Sequence, residues 1–383
     1  MPSPGRLFFS FLALGATAFG GPAMIAHIRE LATRRNRWLP EESFRDGVVL
    51  CQSMPGATAM QMAAYVGLRS AGLRGAVASY VGFGLPAFLL MLLLAALYTG
   101  SRDVPPVASL FRGLQVMVVA ILAHATFVFG RDISKRRADL FFAPVSAAFF
   151  AAGVSPFLVI IGAGVAGIVL FREEAPAPPA GGAEGARGKV PMAVPLYVAF
   201  VLACVAALYF LDGRLYRLAA FLLRVDLFAF GGGYASLPLL FHEIVNVQRW
   251  LDARTFMDGI ALGQVTPGPI IITATFVGYL VGGVAGALVA TGAIFSPSFV
   301  VLVAATPFLD RLKRSRHFTG ATRGILGSFV GLLFYMTVRF AWDVPWDPVR
   351  ILFVAAALAA LARKVGILPI VLVGSALSVF IFR

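Results

Sequence analysis

The sequence predicts an all-α polytopic membrane protein made of two inverted, antiparallel homologous repeats, each with broken or re-entrant helices, joined by one extra transmembrane helix. Three observations predict it: the composition, an internal duplication, and Pro-Gly interruptions at matching points inside apolar runs. Of 383 residues, 59% are hydrophobic and 13% charged, against roughly 45–50% apolar in a soluble domain. Apolar stretches of about 20 residues, each sufficient to cross a hydrocarbon core as a helix, occupy most of the length. Two-residue alternation is absent, which argues against a barrel.

The duplication is read by sliding the chain on itself. Gln52, Pro55 and Gly56 fall on Gln264, Pro267 and Gly268 at an offset of 212. Upstream, Phe19-Gly20-Gly21 recurs as Phe230-Gly231-Gly232, and Trp38-Leu39 and Asp46-Gly47 recur as Trp250-Leu251 and Asp258-Gly259. Downstream, the offset slips to 211, and Gly75, Pro86 and Arg112-Gly113 match Gly286, Pro297 and Arg323-Gly324. So many matches in one order indicate a tandem repeat.

Taken in order, residues 1–171 form the first repeat, with apolar segments near 7–28, 47–68, 75–99, 105–129, 139–152 and 155–171. The 7–28 stretch has the look of a signal-peptide core. It lacks a small-residue cleavage site and contains the duplicated Phe-Gly-Gly, so it is expected to be retained as structure. Residues 172–191 are rich in Pro, Ala and Gly and read as a flexible linker. An unduplicated apolar segment, 192–211, is the connecting transmembrane helix. The second repeat, 212–383, has segments near 217–240, 255–280, 284–309, 322–340, 348–362 and 366–382.

One extra crossing between two repeats that each cross an even number of times makes the second enter from the opposite side. Loop charges agree with that, because Lys and Arg concentrate on the cytoplasmic side. In repeat one the basic loop is 131–137, and the preceding loop, 100–106, holds only Arg102; in repeat two the basic loop is 311–316, and the following loop, 341–348, holds no Lys or Arg. If 7–28 and 47–68 both crossed, the arginine-rich loop 29–45 would be external. Re-entrant pairs of half-helices keep it cytoplasmic. The net charge of +14 therefore reports orientation; spread over short loops, it forms no nucleic-acid stripe. Cys51 and Cys204 lie in apolar runs and read as small core residues.

Broken backbone is tolerated in hydrocarbon only where it faces protein or a wet cavity. A half-helix beginning there aims free N–H groups and a positive dipole end into that cavity, which suits an anion. Candidate binding residues are therefore Gly20, Gly21, Pro22, Gln52, Pro55 and Gly56 in repeat one. In repeat two they are Gly231, Gly232, Gly233, Tyr234, Gln264, Thr266, Pro267, Gly268 and Pro269. The competing reading is that these are packing and kink residues of ordinary transmembrane helices. Asp46 and Asp258 are either helix caps or proton-carrying groups at a cavity mouth, with Glu30 and Glu243 as weaker candidates for that role. Arg112 and Arg323 either draw an anion in or anchor helix ends. No metal cluster, cofactor motif or catalytic constellation is present in the sequence, and an enzyme is not expected.

The segments FGGP at Phe19–Pro22, FGGGY at Phe230–Tyr234, QSMPG at Gln52–Gly56 and QVTPGP at Gln264–Pro269 resemble the chromate ion transporter (CHR) family over nearly the whole chain. The resemblance implies the long, two-domain form of that family: multi-pass proteins of the bacterial inner membrane that export chromate and confer resistance to it. Sulfate is the similar competing oxyanion. A transporter or channel for another anion such as sulfate is the alternative, and a homo-oligomer stays open. Repeat one carries Pro55-Gly56-Ala57 where the family pattern is Pro-Gly-Pro.

Overall fold

The computed structural model describes residues 1–19, 21–133, 141–171, 191–308, 312 and 315–382. The expected linker falls almost wholly outside these residues, as do Gly20 and most of the two basic loops. Every described element is helical except for one isolated bridge between Pro55 and Phe230.

Repeat one opens with two folded-back pairs of short helices. Helix α1 (Pro4–Thr17) ends where Ala18 turns extended, and α2 (Gly21–Arg29) runs on through a π-helical turn, Glu30–Arg35. Arg6 Nη2 donates to Asn36 Oδ1 at 3.0 Å, and Phe11 stacks on Trp38, so both ends of the pair lie at one level. Next, α3 (Glu41–Ser53) and the start of α4 (Thr58–Ser101) are joined through the break 54–57. Tyr65 Oη donates to the Ser43 carbonyl at 3.1 Å, which again folds the second limb back on the first.

Repeat two repeats this geometry. Helix α9 (Gly213–Phe228) is followed by a 3-10 turn, then α10 (Ser236–Phe241) and a π-helical turn, His242–Val247, and Phe221 meets Trp250 as Phe11 meets Trp38. Helix α11 (Ala253–Val265) leads through 266–269 and a 3-10 turn into α12 (Thr273–Ala305). A side chain on Gly259 would strike Phe276, as one on Gly47 would strike Tyr65.

Helices α4 and α12 are each two limbs joined by a sharp corner. Ala71 and Gly72 sit at φ/ψ of −148/25° and 65/−158°; Gly282 and Gly283 sit at −148/27° and 60/−147°. The second residue of each pair needs positive φ, which glycine adopts without steric cost. Past the corner the chain returns along itself: Ser79 Oγ donates to the Ala63 carbonyl at 2.7 Å, and Thr275 and Thr291 hydroxyls pair at 2.7 Å. The stretches long and apolar enough to span a membrane are Thr58–Ser101, Pro105–Arg131, Ala193–Leu211, Ile270–Phe308 and Arg316–Asp343. In two of them the corner divides the stretch, and the second limb, 73–101 or 284–305, is the longer one.

The rest of the fold is an exchange between repeats. Helix α5 (Pro105–Ile133) and its counterpart α13 (Arg316–Asp343) pack antiparallel: Thr126 lies 3.3 Å from its own equivalent, Thr337, while Phe129 meets Phe329 edge to face. The short hairpin of repeat one, α6 (Phe142–Ala151) and α7 (Pro156–Leu170), packs on α13 of repeat two. The hairpin of repeat two, α14 (Pro348–Ala362) and α15 (Ile367–Ile381), packs on α5 of repeat one. Glycines make the approach close, since a Cβ on Gly324 would lie 2.1 Å from the Ala163 carbonyl oxygen. The connecting helix α8 (Ala193–Leu211) buries only Val194. Cys204 is exposed on it, not in a core as expected, because α8 is apolar on all sides and touches few neighbours.

Candidate functional site

Four chain breaks meet at the centre, and they pair crosswise between repeats. The Gly56 amide donates to the Ala229 carbonyl at 3.0 Å, and the Gly268 amide donates to the Ala18 carbonyl at 2.9 Å. Each Pro-Gly break is thus stitched to the Phe-Gly-Gly break of the other half. Gly56 and Gly268 have φ of 110° and 106°, a region L side chains rarely adopt, and a Cβ on them would strike Ser298 and Ala87 at 2.2 and 2.9 Å. Gly231 and Gly232 are likewise at φ 93° and 94°. The backbone here is both turned and crowded, and glycine answers both demands.

Helix starts surround the crossing. Helix α4 begins at Thr58 with no side-chain cap, and the turn at Ile270 begins after Pro269 with none. The first N–H groups of such starts have no partner within the helix. Thr58 Oγ1 would stand 3.5 Å from a Cβ on Gly232, and one on Gly233 would lie 3.7 Å from the Ile270 amide, so starts from both repeats are neighbours. Pro22 lies in the first turn of α2, as expected, whereas Pro269 sits just before its turn, with extended ψ of 139°.

The expected polar donors divide. Gln264 is half-buried and donates to Tyr234 Oη at 3.3 Å, so these two act together. Gln52, its counterpart, is exposed on α3. Thr266 is buried, and its hydroxyl donates back to the Leu262 carbonyl at 2.8 Å.

The charged candidates also separate. Asp258 is 6% exposed and receives Tyr98 Oη at 2.9 Å and Gln115 Nε2 at 2.8 Å. Its cap reading is corrected: Asp252 caps α11, accepting from the Thr255 amide, and Asp258 is a turn and a half inside. Asp46 is half-buried and also lies within its helix, α3, whose N-cap is Pro40. Glu30 begins one π-helical turn and Glu243 is the second residue of the other, but Glu30 is exposed beside Arg34 while Glu243 is buried. Arg112 donates to the Phe382 carbonyl at 3.0 Å, the end of α15, and the Arg323 guanidinium lies 3.7 Å from the ring of Phe171, at the end of α7. Arg323 also lines a cleft of about 200 Å³ with Leu50, Ser53, Thr319 and Thr322, beside the Pro55-Gly56 break.

One polar cluster escaped the sequence reading. Asp226, fully buried in α9, accepts from the Ser298 amide at 2.6 Å. Gln61, also fully buried, donates to the carbonyls of Pro55 at 2.6 Å and Ser298 at 3.4 Å. Tyr80 Oη donates to the Phe295 carbonyl at 2.7 Å and lies 3.2 Å from Ser298 Oγ. The signal was there: an aspartate inside the run LLRVDLFAF is an intramembrane ionisable residue, which is a functional candidate by default.

Crossed, broken helices around a polar centre, carried by spanning helices, define a multi-pass membrane transporter built from two repeats. The chain belongs to the chromate transporter family, whose model matches residues 5–168 and 216–380, one match per repeat. It is 41% identical to an uncharacterised transporter of Methanocaldococcus jannaschii, with 99% of this chain and 95% of the relative covered. It is 31% identical to a chromate transport protein of Pseudomonas aeruginosa (88% and 80% covered) and 28% identical to one of Cupriavidus metallidurans (92% and 87%). No solved structure matches the chain.

Proposed function

We propose that the chain is a secondary transporter that exports chromate across the bacterial inner membrane, holding the dianion where the four breaks cross. The carrying observation is the crosswise pairing of Gly56 with Ala229 and of Gly268 with Ala18. It brings uncapped helix starts of both repeats to one place, and helix starts with positive dipole ends favour an oxyanion. Inverted-repeat transporters bind substrates at such discontinuous helices near the midplane.

Antiparallel packing of α5 against α13 supports opposite membrane orientation for the two repeats, since equivalent spanning helices then run in opposite senses. The folded-back pairs α1/α2, α3/α4, α9/α10 and α11/α12 are read as re-entrant. Gln264 and Tyr234 supply donors beside the helix starts, and Arg323 in its cleft faces the approach. Asp258, held between α11 and the repeat-one side chains Tyr98 and Gln115, spans the joint between repeats and is the candidate for proton coupling.

Radiolabelled chromate flux in proteoliposomes, with imposed pH and sulfate gradients, tests this. Uphill chromate movement driven by either gradient supports a secondary transporter. Flux that only follows the chromate gradient, with no counterflow, would point to a channel.

A further inference from the structure

We infer that Asp226 and Gln61 form a small-cation site, for a proton or a sodium ion, built into one half of the molecule beside the Pro55-Gly56 break. Two acceptors carry the inference. Asp226 Oδ1 and Gln61 Oε1 are both buried and neither has a hydrogen-bond partner among the described residues. Their other atoms are fixed on opposite sides of one residue, Asp226 Oδ2 on the Ser298 amide and Gln61 Nε2 on the Ser298 carbonyl. A Cβ on Gly56 would stand 3.2 Å from Asp226 Oδ1, so the free oxygen faces the break itself.

Two orphaned acceptors call for a donor or a cation, and a buried carboxylate with one amide donor calls for neutralisation. No basic group supplies it: among the described residues Asp226 makes no ion pair, and Arg224, two residues earlier, is directed over the ring of Phe157 at 5.8 Å. The titratable groups near it are Tyr80, whose hydroxyl lies 3.2 Å from Ser298 Oγ, and Tyr197, whose hydroxyl lies 3.1 Å from Ser296 Oγ. Neither carries positive charge. A proton on Oδ1, or a sodium ion between Oδ1 and Gln61 Oε1, removes the charge and satisfies the oxygens.

The duplication sharpens this. At the offset of 211, Asp226 corresponds to Gly15 and Ser298 to Ala87. The structure confirms the second match, because Gly268 abuts Ala87 as Gly56 abuts Ser298. One crossing therefore has a carboxylate and hydroxyl where its twin has a glycine and a methyl. Cation occupancy at one crossing only would make the two halves inequivalent, and a cation bound beside the break would couple to an anion bound there. That consequence rests on the transporter reading; the site itself does not.

Purified full-length protein is examined by infrared difference spectroscopy across a pH series, and by scintillation-proximity binding of sodium-22. The expected result is either a titrating carboxylic-acid band or saturable sodium binding in the wild type, lost in Asp226→Asn. Gln61→Leu separates the sources: it weakens sodium binding at least tenfold and leaves a protonation band in place. Should Asp226→Asn fail to fold, Asp226→Glu, which moves the carboxyl by one methylene, is expected to shift the band or weaken sodium binding severalfold. Spectra and binding identical to wild type in a folded Asp226 variant overturn the inference. Chromate counterflow in the same preparation reports on the transporter reading independently, so loss of counterflow with an intact cation signal refutes that reading alone.

Discussion

The Gly268 amide donates to the Ala18 carbonyl at 2.9 Å, and its twin, Gly56, donates to Ala229 at 3.0 Å. Each bond ties the second break of one repeat to the first break of the other. The two repeats therefore cannot separate at the centre without exposing backbone groups in a low-dielectric interior, which costs several kcal/mol per group. The centre is a shared backbone structure, and the side chains around it come from both halves.

Gly268 should resist substitution for two separable reasons. Its φ of 106° is strained for any L residue, at about 1–3 kcal/mol, and a Cβ meets that of Ala87 at 2.9 Å. Gly268→Ala is expected to lower the thermal midpoint and chromate transport. Adding Ala87→Gly should recover only the part due to contact. Full recovery in the double variant would show that the backbone conformation carries no cost. Gly268→Leu should abolish transport while the protein remains folded in the membrane.

Asp258 accepts from Tyr98 and Gln115, one donor per oxygen. Removing a donor to a buried carboxylate costs about 1–3 kcal/mol, so Tyr98→Phe and Gln115→Leu should each destabilise, with coupling in the double variant. Asp258→Asn is expected to keep chromate binding and lose the dependence of flux on a pH gradient. Because Asp252, not Asp258, caps α11, a silent Asp258→Asn would leave it a purely packed carboxylate and remove it from coupling.

Arg112 and Arg323 are equivalent in the repeat but should differ on substitution. Arg112 is spent on the Phe382 carbonyl, so Arg112→Ala should lower stability by about 1–3 kcal/mol, the range for a charge-assisted bond, with the apparent chromate affinity unchanged. Arg323→Ala opens the cleft beside Ser53 and should weaken apparent affinity severalfold at low salt, the effect shrinking as salt rises. Equal effects of the two on affinity would remove the cleft as an approach route.

Orientation is checked by cysteine labelling from one side of sealed vesicles. Asp103→Cys, between α4 and α5, and Ser315→Cys, between α12 and α13, occupy equivalent connections and should label from opposite sides. Labelling from the same side contradicts inverted repeats.

Much of this was legible in the sequence, because duplication and backbone-breaking residues leave marks that survive without coordinates. Phe-Gly-Gly and Pro-Gly located the breaks, and the apolar runs located the helices; the paired arginines did not mark helix starts, because Arg112 and Arg323 lie about two turns inside α5 and α13. The corner at Ala71-Gly72 was harder, since its apolar flanks read as one continuous membrane helix followed by another. A constant offset shows which residues are equivalent, never which touch. Hence the pairing of Gly56 with Ala229, and the exchange of terminal hairpins onto α5 and α13, had no sequence signal. Asp226 was passed over because it lacks a duplicate. Searching for matched pairs hides residues that break the symmetry.

The most direct measurement of the central claim is a density map of the protein in lipid nanodiscs, collected with and without chromate. The account predicts oxyanion density at the crossing of the four breaks, within hydrogen-bond reach of the helix starts at Thr58 and Ile270 and beside Gln264 and Tyr234. Chromate density elsewhere, with the crossing unchanged and empty between the two maps, would contradict it.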